Sequence, residues 1–110
     1  MTADEYQKLA VRTMNPKLTN HETTMHALFG MVSEVGEVMD IYQKTYQGHE
    51  FDQEHVVREL GDLLWFITEY CAVNYITLEE VMQKNIAKLK MRYPMGFAES
   101  DSLNRDVDDI

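Results

Sequence analysis

"SEVGEVMD" (residues 33–40) and "RELGDLLW" (residues 58–65) carry the same four-letter word: an acid, an aliphatic residue, a glycine and an acid. The first copy reads Glu34-Val35-Gly36-Glu37 and the second Glu59-Leu60-Gly61-Asp62. Both sit in stretches whose apolar residues recur in steps of three and four, the spacing of a helix. Residues three apart share a helical face, so Glu34 and Glu37 point one way, as do Glu59 and Asp62. A mid-helix glycine costs roughly 1 kcal/mol relative to alanine. Exposed like charges at this spacing cost a few tenths of a kcal/mol more per pair. A sequence selected for stability alone avoids both features, and here both occur twice.

Working outward from the repeat, helix signals are frequent and strand signals nearly absent. Thr2 and Glu5 have capping-box spacing and open a first helix that runs to about Met14, before Asn15-Pro16 stops it. Thr19 or Asn20 caps a second helix running to about Gln47, and Gly48 is a natural stop. Asp52 caps a third helix to about Tyr75. Thr77 and Glu80 form another capping box and open a fourth, ending near Tyr93 before Pro94. The expected fold is all-α: a four-helix, antiparallel, bundle-like domain over residues 1–97, followed by an acidic tail, residues 98–110, with little to bury.

The second helix offers the stripe Leu28, Met31, Val35, Val38 and Tyr42, and the third Val56, Leu60, Leu63, Ile67 and Cys71. Leu64, Trp65 and Phe66 make the third helix apolar nearly all round, which predicts another subunit against it: a homodimer, or a homotetramer built from dimers. The short "QGHEF" connection makes helices two and three antiparallel neighbours. At ~1.5 Å per residue, the two acid pairs then lie within about one turn of the same height. Four carboxylates face one seam. Two carboxylates ~6 Å apart there repel by about 3 kcal/mol at an effective dielectric of ~20, and a bound divalent cation reverses the sign. The glycines either let the helices approach or leave room for a ligand over the backbone.

A site of carboxylates with no neighbouring cysteine or histidine favours Mg²⁺, with Mn²⁺ as the alternative, over zinc. The Glu-x-x-His spacing of di-iron bundles does not occur. A single Glu-x-x-Glu reads as a solvated acidic face; two copies with matched glycines on adjacent helices do not.

The net charge of −9 argues against direct binding to nucleic acid or to an anionic membrane, and fits a soluble protein that takes polyanions through cations. One cysteine, Cys71, excludes an internal disulfide and points to a reducing, cytoplasmic setting. No apolar run approaches the ~18 residues of a membrane span. Cys71 reads as core, and His21, His26, His49 and His55, which lack zinc spacing, as surface or capping residues.

Glu34-x-x-Glu37 followed by Glu59-x-x-Asp62 resembles the all-α nucleoside triphosphate pyrophosphohydrolases of the MazG-like type. The segment "NIAKLKMRYPMGF", residues 85–97, is similar to the stretch that follows in those proteins. The resemblance covers roughly residues 22–97. It implies that Glu34, Glu37, Glu59 and Asp62 are the catalytic acids and hold Mg²⁺, which binds the triphosphate. Water attacks at the α–β linkage, releasing a nucleoside monophosphate and pyrophosphate. Ser33 stands where many members carry a further acid.

Asn85, Lys88 and Arg92 share one face of the fourth helix and, by the same resemblance, contact phosphates or sugar; otherwise they are a solvated face with cations near the helix end. Lys44 lies two turns beyond Glu37. Trp65, Tyr93 and Phe97 read as packing residues, with base stacking as the functional alternative. Two function classes follow. One is a Mg²⁺-dependent enzyme acting on nucleoside triphosphates to clear surplus or non-standard nucleotides. The other is a non-catalytic acidic helical module that binds a basic partner or mimics nucleic acid. Paired acids beside an apolar stripe favour the enzyme.

Overall fold

The computed structural model describes residues 1–105; the part of the expected tail beyond them lies outside the described residues. The elements are α1 (Ala3–Val11), α2 (Asn20–Thr45), α3 (Gln53–Val73), α4 (Leu78–Arg92) and α5 (Glu99–Leu103). The short α5 falls in the tail that the sequence marks as having little to bury. Among the described residues there is no strand, only an isolated bridge between Pro94 and Gly96. The chain divides into two units, one from Met1 to Leu78 and one from Glu79 onward.

Local chemistry sets the ends of the helices in the first unit. Thr2 Oγ1 accepts from the Glu5 N–H at 3.1 Å and starts α1. Thr19 closes a reciprocal box with Glu22: its hydroxyl accepts from the Glu22 N–H at 3.1 Å, and the Glu22 carboxylate accepts from the Thr19 N–H at 2.9 Å. Asp52 accepts from the His55 N–H at 3.1 Å and starts α3. The two long helices also end alike. After α2 the His49 N–H bonds the Lys44 carbonyl at 3.1 Å, with Gly48 in the left-handed region at φ 94°. After α3 the Ile76 N–H bonds the Cys71 carbonyl at 2.9 Å, and there the left-handed position, φ 59°, is taken by Tyr75.

α2 and α3 pack antiparallel. His26 meets Glu69, Gly30 meets Phe66, Glu34 meets Glu59, and Tyr42 meets Phe51, so positions rise along one helix as they fall along the other. The face that α2 buries is Thr23, Ala27, Gly30 and Ile41. This corrects the expected stripe by one residue. Val35 and Tyr42, expected inside, are 46% and 50% exposed. The reason is steric. A Cβ on Gly30 would lie 2.2 Å from the Phe66 ring, so the ring occupies the place of a side chain there. The smaller residues face α3, and the larger apolar ones stand about a quarter-turn round. Glu34 continues the inward face, four residues after Gly30, and is partly buried.

α1 packs on α3 and closes the first unit. Trp65 Nε1 donates to Thr13 Oγ1 at 2.8 Å. Gln7 holds the turn after α3 with both ends of its amide: it donates to the Ile76 carbonyl at 3.1 Å and accepts from the Leu78 N–H at 2.7 Å. The buried apolar residues are Ala10, Ala27, Ile41, Val56, Cys71 and Leu78, a small core with Cys71 inside it as expected.

The three mid-helix glycines therefore differ in what surrounds them. Nothing lies within 4 Å of a Cβ built on Gly36 or Gly61. Gly36→Ala and Gly61→Ala are expected to stabilise the chain by about 0.5–1 kcal/mol through helix propensity. Gly30→Ala is expected to destabilise it by about 1–3 kcal/mol, because the Phe66 ring must move. Urea unfolding of the three variants checks this; one common sign for all three would contradict the packing described.

Candidate metal centre

The site is assembled by the register just described. α2 carries Glu34 on its inward face, and α3 brings Glu59 and Asp62, three apart, to meet it. One carboxylate oxygen from each of these residues lies within 4.8 Å of the others. At that separation two carboxylates repel by about 3 kcal/mol at an effective dielectric of ~20. A proton held on Glu34 eases the conflict. Glu34 shares a hydrogen bond with Glu59, which, with burial and the charges of Glu59, Asp62 and Glu37, pushes its pKa up to about 7. The other Glu34 oxygen, Oε2, is buried and has no hydrogen-bond partner among the described residues.

Glu37, the fourth acid of the repeat, is exposed and stands outside this trio. It lies one turn along α2, close enough for its charge to act on Glu34. The donor set suits a hard divalent cation: three convergent carboxylates from two helices, one of them with a buried oxygen that lacks a partner. Among the described residues nothing lies close over the backbone of Gly36 or Gly61, so neither serves a close helix approach. The close helix approach belongs to Gly30 instead. Gly61 lines an open cleft of about 510 Å³ with His55, Arg58, Glu59 and Asp62.

Asn85, Lys88 and Arg92 all lie on α4, in the second unit, where Lys88 and Arg92 are partly buried and Asn85 is exposed. Lys44 is engaged by Asp40 at 3.1 Å. Trp65 is partly buried and tied to Thr13, and Tyr93 packs against Phe97 with ring centroids 5.3 Å apart.

Two histidines that read as surface or capping residues are bonded to acids through their rings. His55 Nε2 lies 3.1 Å from Glu59 Oε1, an i,i+4 contact that the spacing alone makes available. His26 Nδ1 lies 2.7 Å from Oε1 of Glu69, whose side chain is 1% exposed and whose other oxygen has no partner. His26 also packs its ring on Trp65 and Phe66. That pairing joins residues 43 apart and leaves no local signature in the sequence. Tyr6 of α1 also lies near the centre: burial, then the charge of Asp62, raises its hydroxyl pKa, while a hydrogen bond with Thr68 opposes the shift.

Comparison with known proteins agrees with this geometry. Residues 19–97 match the family described as the MazG nucleotide pyrophosphohydrolase domain, a span that takes in α2, α3, α4 and all four acids of the repeat. Among curated proteins, the chain is similar to the Gene 37 protein of Mycobacterium phage L5, at 25% identity over 89 residues, 76% of this chain and 78% of that protein. No solved structure matches. With a family match over most of its length and paired acids that meet on adjacent helices, the chain belongs to the MazG nucleotide pyrophosphohydrolase family.

Proposed function

We propose that the protein is a divalent-metal-dependent nucleoside triphosphate pyrophosphohydrolase. It hydrolyses a ribo- or deoxyribonucleoside triphosphate at the α–β linkage, yields the monophosphate and pyrophosphate, and serves to clear surplus or non-standard nucleotides in the cytoplasm. The observation that carries this reading is the convergence of Glu34, Glu59 and Asp62 within 4.8 Å in a chain of this family.

Glu34, Glu59 and Asp62 would hold Mg²⁺, or Mn²⁺ in its place, with Glu37 as a further ligand one turn along α2. When bound, the cation supplies charge stabilisation for the phosphates and a more acidic water. Glu34 would give up its proton to bind the cation, and its buried oxygen would then have a partner. Gly61 leaves its stretch of backbone clear on the cleft side. Asn85, Lys88 and Arg92 bind phosphate and sugar: Arg92 grips two oxygens with parallel N–H bonds, and Lys88 acts as a point charge. Catalysis rests on placement and electrostatics more than on covalent chemistry.

The protein also works as a homodimer, or as a homotetramer built from dimers. Phe29, Val32 and Met39 on α2 are 69%, 75% and 66% exposed, and Val57 and Leu60 on α3 are 53% and 50% exposed. The apolar surface is widest on α2, whereas the sequence had pointed to Leu64 and Trp65 on the third helix. Sedimentation equilibrium at micromolar concentration should show a species of at least twice the 12.9 kDa chain mass. A single species at the chain mass would overturn the assembly.

A panel of ribo- and deoxynucleoside triphosphates with Mg²⁺, scored for pyrophosphate against orthophosphate, tests the activity. Turnover is expected to require Mg²⁺ or Mn²⁺ and to release pyrophosphate. Glu37→Gln and Asp62→Asn are expected to abolish it with helical circular dichroism unchanged. Arg92→Ala is expected to lower kcat/KM ~10–1000-fold, about 1.4–4 kcal/mol of transition-state binding, with Lys90→Ala near wild type. Wild-type turnover in either acid variant would refute the site. Tight binding of a basic protein with no hydrolysis of any nucleotide would favour the non-catalytic module.

The protonated state of Glu34 gives a pH signature. Its pKa stands at about 7 in the fold against an ordinary 4.5, so folding favours the proton between these values. The stabilisation is present in full below about 4.5 and is lost as pH rises through about 7. In chelator, the melting temperature is expected to fall between pH 5 and pH 8, and Glu34→Gln to flatten that fall. Saturating Mg²⁺ should offset it, since the cation displaces the proton. Identical pH profiles for wild type and Glu34→Gln in chelator would contradict the shared proton.

A further inference from the structure

His55, Arg58, Glu59 and Asp62 are spaced by three and four along α3 and form one contiguous patch of its surface. Two basic side chains stand one turn ahead of two acids. His55 engages Glu59 at 3.1 Å. Arg58 has the same i,i+4 relation to Asp62, yet among the described residues it enters no ion pair. It is exposed, and it lines the 510 Å³ cleft with both acids and with Gly61, whose open backbone leaves room for a bound group. In a chain with 10 Lys and Arg against 19 Asp and Glu, an unpaired guanidinium beside a carboxylate cluster stands out.

We propose that Arg58 is a phosphate-binding residue that grips the terminal phosphates of the triphosphate across the cleft. The inference rests on the reading of the acids as a metal site that takes a triphosphate. The charge balance favours such a group even in addition to Lys88 and Arg92. A triphosphate carries close to four negative charges near neutral pH, the acids add their own, and a divalent cation offsets only part of the sum. Arg58 lies four residues before Asp62, about 6 Å along the helix axis, a span that a phosphate chain held at the acids can cover. Its planar fork matches two phosphate oxygens, which an ammonium cannot do with the same geometry. His55 occupies Glu59, the neighbouring carboxylate on this face, and so leaves the guanidinium to the ligand. Arg58 shares α3 with Glu59 and Asp62, so its placement beside those two acids is set by a single helix.

Calorimetry on the full chain tests this without relying on turnover. Mn²⁺ is titrated first, and inorganic triphosphate is then titrated into the Mn²⁺-saturated protein, for wild type, Arg58→Ala, Arg58→Gln and Arg58→Lys. Mn²⁺ affinity is expected to stay within about twofold of wild type or to tighten, since a nearby positive charge has been removed. Triphosphate affinity is expected to fall ~10–100-fold in Arg58→Ala and Arg58→Gln and to recover only in part in Arg58→Lys. Equal triphosphate affinity in wild type and both neutral variants, with Mn²⁺ bound in each, would overturn the role of Arg58 and leave the metal site standing. Weakened Mn²⁺ binding in the neutral variants, with circular dichroism unchanged, would assign Arg58 to shaping the metal site and overturn its phosphate role. Failure of the wild type to bind Mn²⁺ would overturn the metal reading and this inference with it.

Discussion

Three carboxylates from two helices are held within 4.8 Å of one another, and much else in the first unit answers to that constraint. Left fully charged, such a group opposes the packing that creates it. The shared proton between Glu34 and Glu59 relieves the conflict without a cation, and a divalent ion relieves it more completely. The three acids fit a cation that would take the place of that proton. The packing of α2 against α3 brings them together.

That packing is set at Gly30. The Phe66 ring lies over its backbone where a Cβ would stand, which fixes how α2 and α3 face each other. From this point the register runs in both directions. One turn toward the connection, Glu34 meets Glu59. One turn the other way, His26 meets the buried Glu69, and removing that hydrogen-bond partner would be costly. α1 braces the arrangement from outside through Trp65–Thr13 and through both ends of the Gln7 amide. A small core suffices because these polar contacts join the helices at defined points.

Much of this was legible in the sequence. The all-α class, the four main helices and the caps at Thr2, Thr19 and Asp52 follow from local chemistry, so these side chains stand where the residue types put them, and Glu22 adds a reciprocal box at Thr19. Three of the four repeated acids come together as the spacing implies; Glu37 stays at the exposed edge. What the sequence hid depends on partners distant in the chain. Around Gly30 the inward face of α2 is made of small residues, and hydrophobic periodicity favours large ones, so the expected stripe lies one residue off. Gly30 carries no sign that Phe66 will cover it. His26 and Glu69 show no motif, and Arg58 drew no notice until the cleft gave it neighbours. Tyr75 fills a left-handed position that composition would assign to glycine.

The central claim is that Glu34, Glu59 and Asp62 form one divalent-cation site. The most direct measurement is a crystal structure of the full chain grown with Mn²⁺, with anomalous diffraction recorded at a wavelength where manganese scatters strongly. The account predicts a strong anomalous peak between the three carboxylates, with oxygen ligands at about 2.1 Å and Glu34 Oε2 engaged. A well-ordered site with no peak there, or manganese bound only at other acids, would contradict it.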